Sequence, residues 1–500
     1  MTAVKSESFL KSGMFKFLIG IIIAVLIMVL VRPDEYISAL GVRALAVIVF
    51  TIWMWVAVNT SWSNLLFFAL LIMTGVMSPG AVWSGSIGHF APMLIIVFTI
   101  IGNCLTEHGA IDFVASWFIT RKIVRGRPYM FIAMFFLSII FIGQFMQNLA
   151  LCILFVDLTA RVCEKIGVKK GHSLYTIMFV GVLWAISVIS IASPIAKTLP
   201  NVLIGLMDVQ LGITVTYAQW FAIGIPFSIV MFFVIMLCVR IFKPDVTPLQ
   251  NLDIEEFERN APPLTKEGKI GLIVMGALVL MILLPDILIT LHRDFGVAFL
   301  SGLMPLSTYF VRISANALAI CALVLLCLLT TKNSEGVSKP IMNFNTCARD
   351  VPISMILFIG AVIVMGAPLG NAELGITAWL GNLMPVSGWE PFAIIMFLSV
   401  MCIIITNFIS IMVVMTLFFN LGIAVLVGTG TNLGSYAVAI AFLSSISVLT
   451  PSASMVCPLF FGPEHMTIKN SVKINLVFIA LAFIVAIAFI PLVNAIIPAV

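Results

Sequence analysis

Charge is what this 500-residue sequence has least of: Asp, Glu, Lys and Arg together make up 9%. An ordinary soluble domain carries about 25%, so a water-exposed surface cannot be built from this chain. No polar stretch is long enough to fold as a separate domain. Nine cysteines are scattered, several inside apolar runs (Cys152, Cys238, Cys321, Cys327, Cys402), without a disulfide framework or metal-ligand spacing. HExxH and GxSxG are missing, and neither histidines nor carboxylates cluster within the apolar runs, which speaks against a membrane-embedded enzyme. The five histidines (His89, His108, His172, His292, His465) fall at expected span ends or loops, so no metal is expected. The net charge of +5 is modest and its basic residues sit in short loops. That is the positive-inside pattern of a protein embedded in a lipid bilayer and not a nucleic-acid footprint.

What the chain has is apolar length: 62% hydrophobic residues and a mean hydropathy of +1.21. At roughly 20 apolar residues per crossing, the pattern predicts an all-α polytopic membrane protein. It has about eleven transmembrane helices plus two re-entrant hairpins. A basic N-terminus leads into residues 18–31, and Arg32-Pro33-Asp34-Glu35 offers no small-residue cleavage site. Residues 1–35 are therefore expected to form an uncleaved first helix with its N-terminus in the cytoplasm. Residues 36–242 form a first repeat, 243–269 a cytoplasmic linker, and 270–500 a second, inverted repeat. The linker carries Asp253, Glu255, Glu256, Glu258, Arg259 and Pro262-Pro263, with no apolar period to support a core. Residues 295–311 are short enough to be interfacial or re-entrant.

Two apolar runs are too long for one crossing. Residues 128–160 are flanked at both ends by basic residues, Arg121 to Arg127 and Arg161 to Lys170. Both ends then face the cytoplasm, and the run is a hairpin with Gln147-Asn148 at its tip. Residues 391–428 have no basic flank, which makes them a hairpin entering from outside, with Thr406-Asn407 near its middle. Helix ends at such tips leave backbone groups free to hold ions or carboxylates.

Two further runs are interrupted. In residues 174–207 the segment SPIAKTLPN places Lys197 between Pro194 and Pro200. Freed carbonyls and a charge are tolerated in lipid only where they line a cavity walled by protein or water. Residues 436–461 repeat the interruption with Thr450-Pro451-Ser452-Ala453-Ser454 and Pro458. The landmarks recur in order: Asn148 and Asn407 lie 259 residues apart, Pro194 and Pro451 257, Thr198 and Ser454 256, Glu107 and Glu373 266. An odd number of spans per repeat turns one copy upside down, the arrangement that supports alternating access around two broken helices.

The candidate substrate- and ion-binding residues are Gln147, Asn148, Ser193, Lys197, Thr198, Asn201, Thr406, Asn407 and Ser454. Lys197 has two competing roles, pairing with an anion or standing in for a bound cation. In the second role the carrier runs without sodium, or couples to protons if the lysine releases its own. Asn148 and Asn407 could equally cap the hairpin helices. Asp157, four residues before Arg161, reads first as an i,i+4 pair and otherwise as a proton-coupling carboxylate. Glu107 and Glu373 are expected at helix ends.

Several short segments together resemble the divalent anion/sodium symporter (DASS) family of the ion-transporter superfamily. They are KTLPN at 197–201, AQWFAIGIPFSIV at 218–230, NAPPLTKEGK at 260–269 and PEHMTIKNSVKINL at 463–476. The resemblance covers about residues 43–490. It implies two hairpins tipped by Ser-Asn-Thr, whose hydroxyls bind carboxylates and whose backbones help to coordinate sodium. Here the tips read Gln147-Asn148-Leu149 and Thr406-Asn407-Phe408; Ser454 keeps a hydroxyl in the second turn, and Lys197 stands where the family usually has glycine. The resemblance implies a secondary active transporter of small anions, di- or tricarboxylates foremost, with sodium as the only cofactor to test. It further implies a homodimer, and the short loops place it in the cell (inner) membrane. A cation/proton antiporter of the same superfamily, using Asp157, is the alternative; a channel ranks below both.

Overall fold

The computed structural model describes residues 13–195, 197–252, 263–295, 298–332, 338–383, 388–461, 466 and 468–497. The acidic part of the linker (253–259, with Pro262) and His465 lie outside the described residues.

Up to the linker the chain runs through α1 (Gly13–Leu30), α2 (Ala39–Ala57), α3 (Ser63–Met73), α4 (Pro79–Gly85), α5 (Phe90–Glu107) and α6 (Ala110–Ile119). The pair α7 (Pro128–Gly143) and α8 (Asn148–Lys165) follows, then α9 (Ser173–Ala192), α10 (Thr198–Leu211) and α11 (Tyr217–Phe242). Beyond the linker come α12 (Lys266–Phe295), α13 (Met304–Leu328), α14 (Phe344–Ala348), α15 (Ile353–Gly370) and α16 (Ile376–Leu383). The chain ends with α17 (Pro391–Ile405), α18 (Ile411–Leu426), α19 (Leu433–Ser445), α20 (Ile468–Ala488) and α21 (Ile490–Ile496). A short antiparallel pair, Thr330–Lys332 with Ser338–Pro340, decorates one loop.

Nine of the described helices are long and apolar enough to cross a membrane. The two over-long runs fold instead as helix pairs, turning at 144–147 and 406–410, and the run 174–207 is cut at 193–197. Those interruptions leave shorter apolar helices, which accounts for the difference from eleven full spans. Residues 298–303 form a 3₁₀ turn before α13. α13 itself is two helices joined at Ser314, whose φ of 72° and ψ of 148° break the helical path.

Local chemistry sets the ends. Thr216 and Gln219 form a reciprocal capping box at the start of α11, with hydrogen bonds of 3.2 and 2.9 Å. Gly212, in the left-handed region at φ 67°, closes α10. Burial then separates interior from lipid-facing helices. Every residue of α9 from Ile177 to Ala192 is buried, whereas in α1 Gly20 alone is. A helix apolar all round but exposed is one whose solvent is hydrocarbon.

The order of elements repeats. Three helix starts are each displaced by 263 residues (90 to 353, 128 to 391, 148 to 411). The next pair, α6 and α16, is displaced by 266 (110 to 376), the spacing of Glu107 and Glu373. This register corrects one pairing made from sequence. Asn407 corresponds to Gln144, the first residue after α7, and not to Asn148, which opens α8.

Candidate functional site

The break between α9 and α10 is held by side chains that take up the backbone groups the helix gives up. The indole of Trp220, on α11, donates to the carbonyl of Ile191 (2.9 Å). Ala192's carbonyl packs onto Gly224, where any side chain would collide with it. Asn201 donates to the carbonyls of Pro194 (2.5 Å) and Lys197 (2.7 Å), and its own oxygen accepts from the Tyr217 hydroxyl (3.0 Å). Ser193 is fully buried; its hydroxyl donates to the carbonyl of Gln144 (2.7 Å) and accepts from Ile195 N–H (3.0 Å). A buried break with its carbonyls paired can persist at membrane depth.

Into this knot projects Lys197, 1% exposed. Its ammonium donates to the side-chain oxygen of Asn148, whose amide nitrogen donates to Ser190 (2.6 Å). Asn148 is therefore the lysine's partner and not an N-cap; Gln147 holds the cap position without a capping bond. Among the described residues no carboxylate lies within salt-bridge distance of Lys197. An ammonium carries three donors, and Asn148 takes one.

The second break is built differently. α19 ends at Ser445, and residues 446–456 are irregular, with a 3₁₀ turn at Cys457–Leu459 where the first half resumes an α-helix. Prolines 451 and 458 deny that segment its helical donors. Asn407, 2% exposed, stitches tip to break. Its oxygen accepts from Val448 and Leu449 N–H (2.9 and 3.0 Å), and its nitrogen donates to the carbonyls of Ile403 and Ile446 (2.8 and 3.1 Å). Thr406 donates to Ser444 O (2.7 Å) and Thr450 to Asn407 O (2.6 Å). Ser452 is exposed and Ser454 half-buried, and the latter's hydroxyl accepts from Val456 N–H (3.2 Å).

One bond is common to both halves. The residue before the first proline of each break, Ser193 or Thr450, donates its hydroxyl to the carbonyl of the matching tip residue, Gln144 or Asn407. The breaks are also neighbours, since α9 and α10 both pack on α19. Trp184 on α9 donates to Asn475 on α20 (2.9 Å), which donates to Val448 O (2.7 Å).

Of the residues expected from sequence, Ser193, Lys197, Asn201 and Asn148 form one cluster, and Thr406 and Asn407 a second with the backbone at 444–450. Gln147 and Thr198 point elsewhere: Gln147 donates to Thr99 on α5 (2.9 Å), and Thr198 faces the sulfur of Met355 on α15 (3.6 Å). Asp157 pairs with Arg161 at 2.8 Å, both side chains more than half exposed, as the i,i+4 reading expects. Gln144, Ser190, Tyr217, Trp220 and Asn475 were not anticipated. Ser190, Tyr217, Trp220 and Asn475 each meet a partner on another element, whereas the Gln144 side-chain oxygen has none among the described residues. Asn475, an amide inside the last apolar span, was the most legible of them.

Comparison with known proteins adds to this geometry. The family described as the sodium:sulfate symporter transmembrane region matches residues 11–497. The chain is similar to the sodium-dependent dicarboxylate transporter SdcS of Staphylococcus saprophyticus. The two are 22% identical over 490 residues, 94% of this chain and 89% of that protein. Among solved structures it is similar in fold to the Alcanivorax borkumensis YdaH transporter, at 14% identity and a TM-score of 0.51. That match covers 97% of this chain and 99% of the other.

Proposed function

The chain belongs to the sodium:sulfate symporter family and is a multi-pass membrane transporter and not an enzyme, and on that premise we propose that it moves small anions, di- or tricarboxylates foremost, by secondary active transport with alternating access. The observation that carries this reading is the buried Lys197 ammonium, hydrogen-bonded to the tip residue Asn148 with no protein carboxylate beside it among the described residues. A buried charge without a counter-ion is costly, and an arriving carboxylate removes that cost. The dicarboxylate named for SdcS supports the substrate class.

Lys197 is also a fixed positive charge where a carrier would otherwise recruit a mobile one. We read it as replacing one cation, so that net anion uptake needs less sodium or none. Whatever sodium remains is best suited by the second break, where Thr450, Ser452, Ser454 and backbone carbonyls offer oxygen. Ser193 and Asn201 hold the first break in shape, Thr406 and Asn407 the second; Gln147 and Thr198 orient the elements around them. The protein works in the cell (inner) membrane, N-terminus in the cytoplasm, as a homodimer of two inverted repeats. Cation/proton antiport through Asp157 has no support from its exposed ion pair.

The test is uptake of labelled succinate, citrate and sulfate into proteoliposomes, under a sodium gradient, a proton gradient or counter-substrate alone. Saturable uptake of at least one is expected; none under any condition would contradict the reading.

A further inference from the structure

A second polar location lies outside both tips. A partly open cavity of about 180 Å³ lies where α12 and α13 meet α10 and the start of α11. Its walls are mostly carbon, from Phe90, Ile204, Met281 and Phe310 among others, with one carboxylate, Asp286. That carboxylate follows Pro285, which interrupts the hydrogen bonding of α12, and the facing helix α13 is broken at Ser314. Both helices are therefore distorted where they border the cavity. Asp286 lines the cavity together with Thr216 and Tyr217, the residues that open α11.

We propose that this cavity is a proton-binding site, with Asp286 as the acceptor, linked to the Lys197 break through Tyr217. Tyr217 lines the cavity and donates to Asn201, the residue that holds the carbonyls of Pro194 and Lys197. The walls select the ligand. An anion is excluded by the carboxylate. A metal cation needs several oxygen ligands, whereas beside Asp286 the lining side chains offer the Thr216 and Tyr217 hydroxyls and otherwise hydrocarbon and thioether. A proton needs one oxygen, and neutralising a carboxylate in a carbon-walled space removes the cost of its charge. Asp286 stands twenty residues after Lys266, about 30 Å along the helix, so loading is from the side opposite the linker.

Among the described residues lining the cavity, Tyr217 is the one other titratable group. On the surrounding elements, His89 precedes α5 and Asp208 lies on α10, both outside the cavity lining. Tyr309 and Arg312 on α13 are exposed, and His292 lies six residues further along α12. None of these is a cation set against Asp286 in the cavity wall.

The binding claim is tested by infrared difference spectroscopy of the full chain in lipid nanodiscs, titrated between acid and alkaline pH. The wild type shows a protonated-carboxyl band that Asp286→Asn loses; identical spectra overturn the proposal. Should that variant not assemble, Asp286→Glu decides, since it keeps a carboxyl and must shift the midpoint of the same band. An unmoved midpoint overturns the proposal.

The link to transport rests on the function proposed above and is tested separately with pyranine-loaded proteoliposomes. Internal acidification accompanies succinate uptake in the wild type and is lost in Asp286→Asn; succinate uptake without acidification in the wild type overturns the link. Failure of the wild type to take up succinate counts against the transport reading, while the infrared result still decides the proton site.

Discussion

The two breaks solve the same problem with opposite means. In the first half the helix runs to Ala192 and resumes at Thr198, and the break is held by Trp220 at Ile191, by Asn201 at Pro194 and Lys197, and by Ser193 at Gln144. In the second, α19 stops at Ser445, about one turn short of the matching position, and the freed N–H groups of Val448 and Leu449 go to Asn407. The equivalent amide, Gln144, has no such groups to bind because its helix is still wound there; its side-chain oxygen is buried without a partner. The first half instead contributes a charge. One break is closed, carries a buried lysine and is built from side-chain contacts, and the other has no charged side chain, is rich in hydroxyls and is tied to its own tip. An inverted repeat need not keep equal sites: among the described residues of the two breaks, what is shared is the hydroxyl-to-tip bond.

If that division is right, the largest effect on transport belongs to Lys197. Replacing it with Gly removes the charge-assisted bond offered to an arriving carboxylate, worth about 1.5–3 kcal/mol. Succinate uptake at low concentration should fall about 10- to 100-fold, or become dependent on added sodium; unchanged kinetics and ion dependence would break the comparison.

Asn407→Ala should act through the fold. It strands two N–H groups and the Ile446 carbonyl in a buried site, at about 1–3 kcal/mol for each unpaired group. The melting temperature in detergent should drop by several degrees. Asn148→Ala, which leaves the buried Lys197 ammonium without its hydrogen bond, should lower the melt as well, but there succinate should restore it by pairing with the ammonium. An equal response of the two melts to succinate would erase the distinction between a structural tip and a functional one.

Thr450→Val should sharpen it further. The variant loses the hydroxyl bond to Asn407 and one oxygen at the open break. A sodium dependence, where present, should weaken about tenfold, against a smaller change for Ser193→Ala, whose break carries its own cation. The smallest effect is expected at Asp157→Asn. An exposed ion pair contributes about 0–1 kcal/mol, so uptake should stay within about twofold of wild type.

How far these features could be read in advance follows from the range of the interactions. The tips and breaks announce themselves locally, as runs too long for one crossing and as prolines flanking a lysine at 194–200. The two asparagines were matched to each other because the letters agreed, yet their roles differ: Asn148 begins a helix and meets Lys197, and Asn407 lies in a turn and meets backbone. Nothing within a few residues of Asn407 says that α19 will end a turn early. Trp220 to Ile191 and Asn475 to Val448 are contacts across tens of residues. Asp286 had a signal that went unused, a proline followed by a carboxylate inside an apolar span.

The claim on which the rest depends is that Lys197 serves as a built-in cation. The direct test is to measure succinate uptake into proteoliposomes against external sodium, for wild type and Lys197→Gly side by side. The account predicts wild-type uptake that is flat, or nearly so, across the sodium series, and a variant that is inactive without sodium or rises with it. A wild type that depends steeply on sodium, with a variant that follows the same curve, would contradict it.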